Sequence, residues 1–141
     1  MTEAVRTSVK TVLCVDDDPS ILTALERVLR RTPFEIVTAL GPEEGMRLAE
    51  TVQPDMILLD MKMPGMSGPE FMQEVRKTLS NVPVVFITGM SDGDQVAKQL
   101  GAGCYIRKPF SNHYIRNVVE MMIGDISQER RQELTELLDQ G

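Results

Sequence analysis

Tryptophan is absent from the 141 residues, tyrosine occurs twice and phenylalanine four times. A hydrophobic core must therefore be filled by Leu, Val, Ile and Met, and the ten methionines offer adaptable contact surface as well as packing volume. Histidine occurs once and cysteine twice, at Cys14 and Cys104, both inside apolar strand-like runs. Neither cysteine has a His or Cys partner at metal-ligand spacing, so both read as reduced core residues of a cytosolic protein. Positive charge is in deficit: 15 Lys and Arg face 21 Asp and Glu, a net charge of −6. That balance speaks against nucleic-acid binding by the domain itself and gives no reason for adsorption to an anionic membrane. No apolar run approaches the ~20 residues that span a bilayer, and "MTEAVRTSVK" lacks the apolar core of a signal peptide. A cytoplasmic protein is the expectation.

What is present is an alternation. Short apolar runs stand at 11–15 (TVLCV), 34–39 (FEIVTA), 55–59 (DMILL), 82–87 (VPVVFI) and 103–107 (GCYIR). Longer segments with the three-and-four spacing of one helix face lie between them: Ile21, Leu22, Leu25, Val28 and Leu29; then Leu48, Ala49 and Val52; then Phe71, Met72, Val75 and Leu79. "SDGDQVAKQLG" is a weaker fourth helix, and Ile115, Val118, Val119 and Met122 mark a fifth. Asp18-Pro19, Gly41-Pro42 and Gly68-Pro69 each place a cap-type residue before a proline, and Ser111 can cap the fifth helix. Nearly all-apolar strands imply burial on both faces of a parallel sheet. The expectation is an α/β doubly wound, flavodoxin-like sheet of five strands in the order 2-1-3-4-5, with five helices. Residues 1–10 form an N-terminal arm and 11–124 the domain. Residues 125–141 form a helical tail or linker carrying Ile126, Leu134, Leu137 and Leu138, with Asp125 as a candidate cap.

Ligands of open parallel sheets bind beyond the carboxyl ends of the strands. Those ends carry Asp16, Asp17 and Asp18 after the first run, Asp60 after the third, Thr88 after the fourth and Lys108 after the fifth. In the order 2-1-3-4-5 the first and third strands are neighbours, which sets Asp16 and Asp17 beside Asp60 at the switch point. Like charges ~4 Å apart cost about 4 kcal/mol at an effective dielectric near 20. Lys108 offsets one of the three carboxylates, and a divalent cation supplies the rest. An all-oxygen ligand set suits a hard ion, Mg²⁺, with Mn²⁺ as its substitute. A carboxylate so placed can take up a phosphoryl group.

The motifs "VLCVDDDP", "DMILLDMKMPGMSG", "VVFITG" and "GAGCYIRKPF", in this order, resemble the receiver domain of two-component response regulators over residues 11 to about 124. The resemblance implies that Asp60 is the phosphoacceptor. It makes Asp17 the direct and Asp16 the water-mediated Mg²⁺ ligand, and the Lys62 backbone carbonyl a third. Thr88 and Tyr105 are implied as the coupled switch pair, Gly89 as the small residue leaving access, and Lys108 as the phosphate-pairing cation, followed by a cis Lys108–Pro109 bond. It implies a phosphorelay switch, not a turnover enzyme: the phosphoryl group comes from a sensor histidine kinase or phosphotransfer protein. The partner-binding face is that of the fourth helix, fifth strand and fifth helix, which is also where a homodimer would form. Lys62 and Met90, two residues after Asp60 and Thr88, offer no carboxylate or amide to orient water, so slow self-dephosphorylation is expected.

Simpler readings stand beside these. Asp18 is a helix cap, His113 a solvated residue early in the fifth helix, and Met61, Met63 and Met66 are packing and turn contacts. Tyr105 alone reads equally as a half-buried edge residue. The pattern Asp16-Asp17-Asp18-Pro19-Ser20 is shared with haloacid-dehalogenase-type phosphatases, in which the first acid is the nucleophile. The chain is short for that family, and Ser20 stands where Thr is usual. A flavodoxin-like cofactor site would need a Ser/Thr-Gly-rich loop where the three acids stand. A receiver used only for docking, without phosphorylation, is the remaining alternative. No output domain follows within the 141 residues, so the expectation is action through protein contacts or a tail that links onward.

Overall fold

Apolar runs long enough for one strand and no more pair side by side, and each of the first three crossings between them carries a helix. The computed structural model describes residues 9–89 and 104–140. Five strands, β1 (Thr11–Asp16), β2 (Glu35–Leu40), β3 (Met56–Asp60), β4 (Val84–Thr88) and β5 (Cys104–Arg107), form one parallel sheet in the order β2-β1-β3-β4-β5. The helices are α1 (Pro19–Leu29), α2 (Pro42–Val52), α3 (Gly68–Val75), α4 (Asn112–Ile123) and α5 (Gln128–Gln140). Here α4 is the fifth helix expected from the sequence; the weak fourth, "SDGDQVAKQLG", lies outside the described residues.

Every residue of β3 and β4 is buried, whereas β2 at the sheet edge is largely half-exposed. Alternate side chains divide between two cores. Val12, Cys14, Met56, Leu58, Val85, Ile87 and Ile106 meet Leu25 and Leu29 of α1 and Ile115, Val118 and Val119 of α4. Leu13, Val15, Ile57, Leu59, Val84 and Phe86 meet Ala49 of α2 and Phe71, Met72 and Val75 of α3. Burial pushes the Cys14 thiol up to about 12, which leaves it a protonated, unreactive core group.

The helix starts refine the sequence reading. Asp18 caps α1, accepting from the Ser20 amide at 2.9 Å, and Pro19 opens the helix. Gly41 caps α2 through its backbone alone, at φ 103°, a conformation costly for any side-chain-bearing residue. At α3 the cap is Ser67 rather than Gly68. The Ser67 hydroxyl accepts from the Glu70 amide and Glu70 accepts from the Ser67 amide, a reciprocal pair that Gly68 cannot make. The helix also ends at Val75, so Leu79 reaches the core from a following turn rather than from the helix face. The tail helix is capped by Ser127, whose hydroxyl accepts from the Arg130 amide, and not by Asp125. It packs back on the domain. Leu134 is fully buried, Leu138 joins the α1/α4 core, and Leu137 faces outward. The Arg131 guanidinium donates to the Met121 and Gly124 carbonyls, and Lys10 Nζ donates to the Ile123 carbonyl at 2.7 Å, so the open end of α4 is satisfied by charged donors. Among the described residues no helix is long and apolar enough to cross a membrane.

Candidate phosphoacceptor site

Strand alternation puts the acids together. Asp16 follows Val12 and Cys14 on the α1/α4 side of β1, and Asp60 follows Met56 and Leu58 on the same side of β3. The register pairs Val15 with Leu59, so Asp16 and Asp60 are the next step of the same ladder. Lys108 comes two residues after Ile106 on β5. Its Nζ stands 3.4 Å from Asp60 Oδ1 and 3.6 Å from Asp16 Oδ2. Carboxylate oxygens of Asp16, Asp17 and Asp60 all lie within 4.8 Å of one another.

Burial at this cluster is uneven. Asp16 is 1% and Asp60 6% exposed, whereas Asp17 lies open to solvent. Loss of water pushes the Asp60 carboxyl up to about 6, and the neighbouring Asp16 charge pushes the same way, with Lys108 opposing. Burial likewise raises Asp16, against the Asp18 amide, which donates to its Oδ1 at 2.9 Å, and against Lys108. Asp16 Oδ2 is buried without a hydrogen-bond partner. A buried carboxylate oxygen with no hydrogen bond and only the Lys108 ammonium at 3.6 Å, in an all-oxygen set with excess negative charge, fits a hard divalent cation.

The remaining predicted residues surround the cluster. Thr88 is buried at the end of β4, one residue past Ile87, the register partner of Asp60. Its carbonyl accepts from the Lys108 amide at 2.8 Å, and the Lys108–Pro109 bond is cis. Tyr105 pairs in register with Phe86 and packs, half-buried, against the α2/α3 core, so it is near β4 but not in the acid cluster. Gly89 has open space where a Cβ would stand. Lys62 is exposed, its amide 3.5 Å from Asp60 Oδ1. Met90 lies outside the described residues. Sequence reasoning missed the part played by Gly68: a Cβ there would sit 2.7 Å from the Asp60 carbonyl oxygen and 3.0 Å from Met61 Cα. Its own amide donates to the Met61 carbonyl at 2.8 Å, so the start of α3 is pressed against the backbone that carries Asp60. The signal was present in Ser67-Gly68-Pro69-Glu70, where serine and glutamate three apart mark the helix start one residue earlier.

A profile of the response regulator receiver domain matches residues 12–120. The chain belongs to the response regulator receiver family. This receiver is 34% identical over 116 residues to the alkaline phosphatase synthesis transcriptional regulatory protein PhoP of Bacillus subtilis, covering 81% of this chain and 48% of that protein. It is 40% identical over 101 residues to the transcriptional regulatory protein PrrA of Mycobacterium leprae, covering 70% and 43%. The chain thus spans about half the length of the curated relatives it matches. Among solved structures it is similar to response regulator TrrA of Thermotoga maritima in complex with Mg²⁺ and BeF, at TM-score 0.74 and 30% identity, covering 82% of this chain and all of that one. Chemotaxis response regulator CheY4 of Vibrio cholerae matches at TM-score 0.76 and 28% identity, again over 82% of this chain and all of that one. Receivers are signalling switches of two-component systems, and Mg²⁺ binding is a property of the family that the acid cluster of this receiver fits.

Proposed function

We propose that Asp60 is the phosphoacceptor of this receiver, and that the donor is a phosphohistidine on a sensor histidine kinase or phosphotransfer protein. The observation that carries the reading is the clustering of Asp16, Asp17 and Asp60, with Lys108 ion-paired to Asp16 and Asp60 and one buried oxygen of Asp16 without a hydrogen bond. A carboxylate oxygen of Asp60 forms the new bond to phosphorus, and the phosphorus–nitrogen bond of the donor breaks with its electron pair returning to the imidazole. Asp17 and Asp60, the Lys62 carbonyl and, through water, Asp16 would hold Mg²⁺ (or Mn²⁺), which when bound neutralises the charge gathered on the phosphoryl oxygens. Lys108, already 3.4 Å from Asp60, pairs with one of those oxygens. Gly89 leaves the approach open. Attack of water on the acyl phosphate releases inorganic phosphate and resets the switch. With Lys62 and Met90 offering no group to orient that water, the phosphorylated state persists for minutes or longer.

Thr88 and Tyr105 form the switch: the added anion draws the Thr88 hydroxyl, and Tyr105 follows into the vacated space, altering the surface that includes β5 and α4. That surface is the proposed contact for downstream partners or a second copy. The names of the PhoP and PrrA relatives support a place in signal transduction ahead of an output step. The net charge of −6 supports contact with proteins, not nucleic acid, by this domain.

Acetyl phosphate with Mg²⁺ tests the assignment by intact mass. The wild type gains one phosphoryl group and Asp60→Asn gains none. Acyl phosphate mapped to Asp16 would replace this reading with the phosphatase one.

A further inference from the structure

At the end of α1 remote from the acid cluster, Arg27, Arg30 and Arg31 face Arg116 and Asn112 of α4 across a groove of about 670 Å³. The groove lies between the second half of α1 and the first turns of α4, and none of the acid-cluster residues lines it. None of the four guanidinium groups has an ion pair or hydrogen bond among the described residues. In a chain with six more acids than cations, four unpaired guanidinium groups in one groove run against the overall balance. The α1 macrodipole favours cations in its last turn, which accounts for Arg27 and Arg30. It does not account for Arg116, which comes from a different helix.

A second hollow, of about 720 Å³, adjoins the groove and shares Arg31 and Arg116. Its walls add Pro33, Phe34 and Ile126, with Lys10, Arg130 and the carboxylates of Glu120 and Asp125 among their polar groups; Glu120 pairs with Arg130 at 3.5 Å. Guanidinium forks match phosphate oxygens two at a time, where lysine offers only a point charge. Either volume is of the size that takes a small molecule. The aromatic and apolar wall beside the cationic one suits a flat base joined to a chain of phosphates.

We propose that the α1/α4 groove binds a nucleoside polyphosphate, with its phosphates on Arg27, Arg31 and Arg116 and its base in the hollow beside Phe34. The site is independent of Asp60 and of Mg²⁺.

The 141-residue chain, in chelator, is titrated with ATP, GTP, inorganic tripolyphosphate, a poly-glutamate peptide and a short DNA duplex while amide resonances are followed by NMR. A nucleotide is expected to saturate at micromolar concentration, moving resonances of residues 24–34 and 112–126 and leaving those of Asp60 and its neighbours in place. Tripolyphosphate binds about tenfold more weakly, since it fills only the cationic half. Arg31→Ala with Arg116→Ala weakens nucleotide binding at least about tenfold, whereas Lys77→Ala, exposed and remote, changes nothing. If the Arg116 variant does not fold, Arg27→Gln with Arg31→Gln, both at exposed positions, gives the same loss. Absence of saturation by either nucleotide at about 1 mM overturns the proposal. So does equal affinity for tripolyphosphate, which marks a bare anion site, and so does tighter binding of DNA or poly-glutamate, which marks a macromolecular partner. Binding unchanged in the arginine variants overturns it as well.

Discussion

Asp60 carries a large electrostatic burden, and its consequences are measurable without any phosphodonor. With its carboxyl pushed from 3.8 to about 6, the folded protein holds more protons than the unfolded chain between those values. Stability then falls as pH rises through that window, and the raised Asp16 acts in the same direction. Asp18 and Glu70, lowered by their capping hydrogen bonds, act the other way, so the bare pH profile mixes signs. Comparison with Asp60→Asn isolates the site. In chelator at pH 7 the variant is expected to melt higher than wild type by roughly 5 °C, since about 2 kcal/mol of carboxylate desolvation and repulsion is removed. The gap closes as pH falls through 3.8, below which the wild-type carboxyl is protonated in both states. Mg²⁺ narrows the gap from the other side by stabilising the wild type more than the variant. Thermal melts at several pH values, with and without Mg²⁺, check all three. A gap that grows on acidification would mean Asp60 is stabilised, not strained, by its surroundings.

At the scale of elements, the start of α3 is where backbone packing and the site meet. Gly68→Ala is expected to cost about 2–3 kcal/mol, because the new methyl meets main-chain atoms of Asp60 and Met61 that cannot turn aside. It should also slow phosphoryl uptake from acetyl phosphate, since the strand end bearing Asp60 must shift. Ser67→Ala removes only the cap and costs about 1 kcal/mol, with uptake near wild type. Urea midpoints at unchanged slope give the two stabilities, and equal losses in the two variants would refute the packing argument. These residues also show what the sequence could and could not tell. Strands were legible because a parallel sheet buried on both faces leaves unbroken apolar runs, and their ends then named Asp16, Asp60, Thr88 and Lys108. The α3 start slipped by one because proline is acceptable at either of the first two helical positions, so Gly68-Pro69 and Ser67-Gly68-Pro69 looked alike. Only the Glu70 partner decides. Leu79 kept the helical spacing although the helix stops at Val75, because a turn can deliver a side chain to the same core. Gly68 was legible as a turn residue, but its contact with Asp60 is a tertiary fact that no local pattern carries.

For the whole molecule, the two cores divide the work. The α2/α3 side seats Met61 and Met63 under the loop after Asp60, and the α1/α4 side carries the acids and extends into α5. That extension was the least legible part of the chain. Its sequence is mostly polar, and although Leu134, Leu137 and Leu138 keep the three-and-four spacing of one helix face, that spacing does not say which of them is buried. The structure chooses Leu134, while Arg131 and Lys10 fasten the adjacent end of α4. If α5 is part of the cooperative unit, Leu134→Ala opens a cavity in the domain and costs about 2–4 kcal/mol. Leu137→Ala, 51% exposed, then falls within about 0.5 kcal/mol of wild type. Far-UV circular dichroism and resonances of the β3–β4 core should report one coincident urea transition in both variants, shifted to lower midpoint only for Leu134→Ala. A helix that detaches in solution would give the opposite pattern: the two leucines would become equivalent, and helical signal would be lost ahead of the core. Phosphoryl uptake by Leu134→Ala below its unfolding midpoint should match wild type, because α5 is fastened to the far end of α4, at Glu120, Met121 and Gly124, and not to the strand ends that hold the acids.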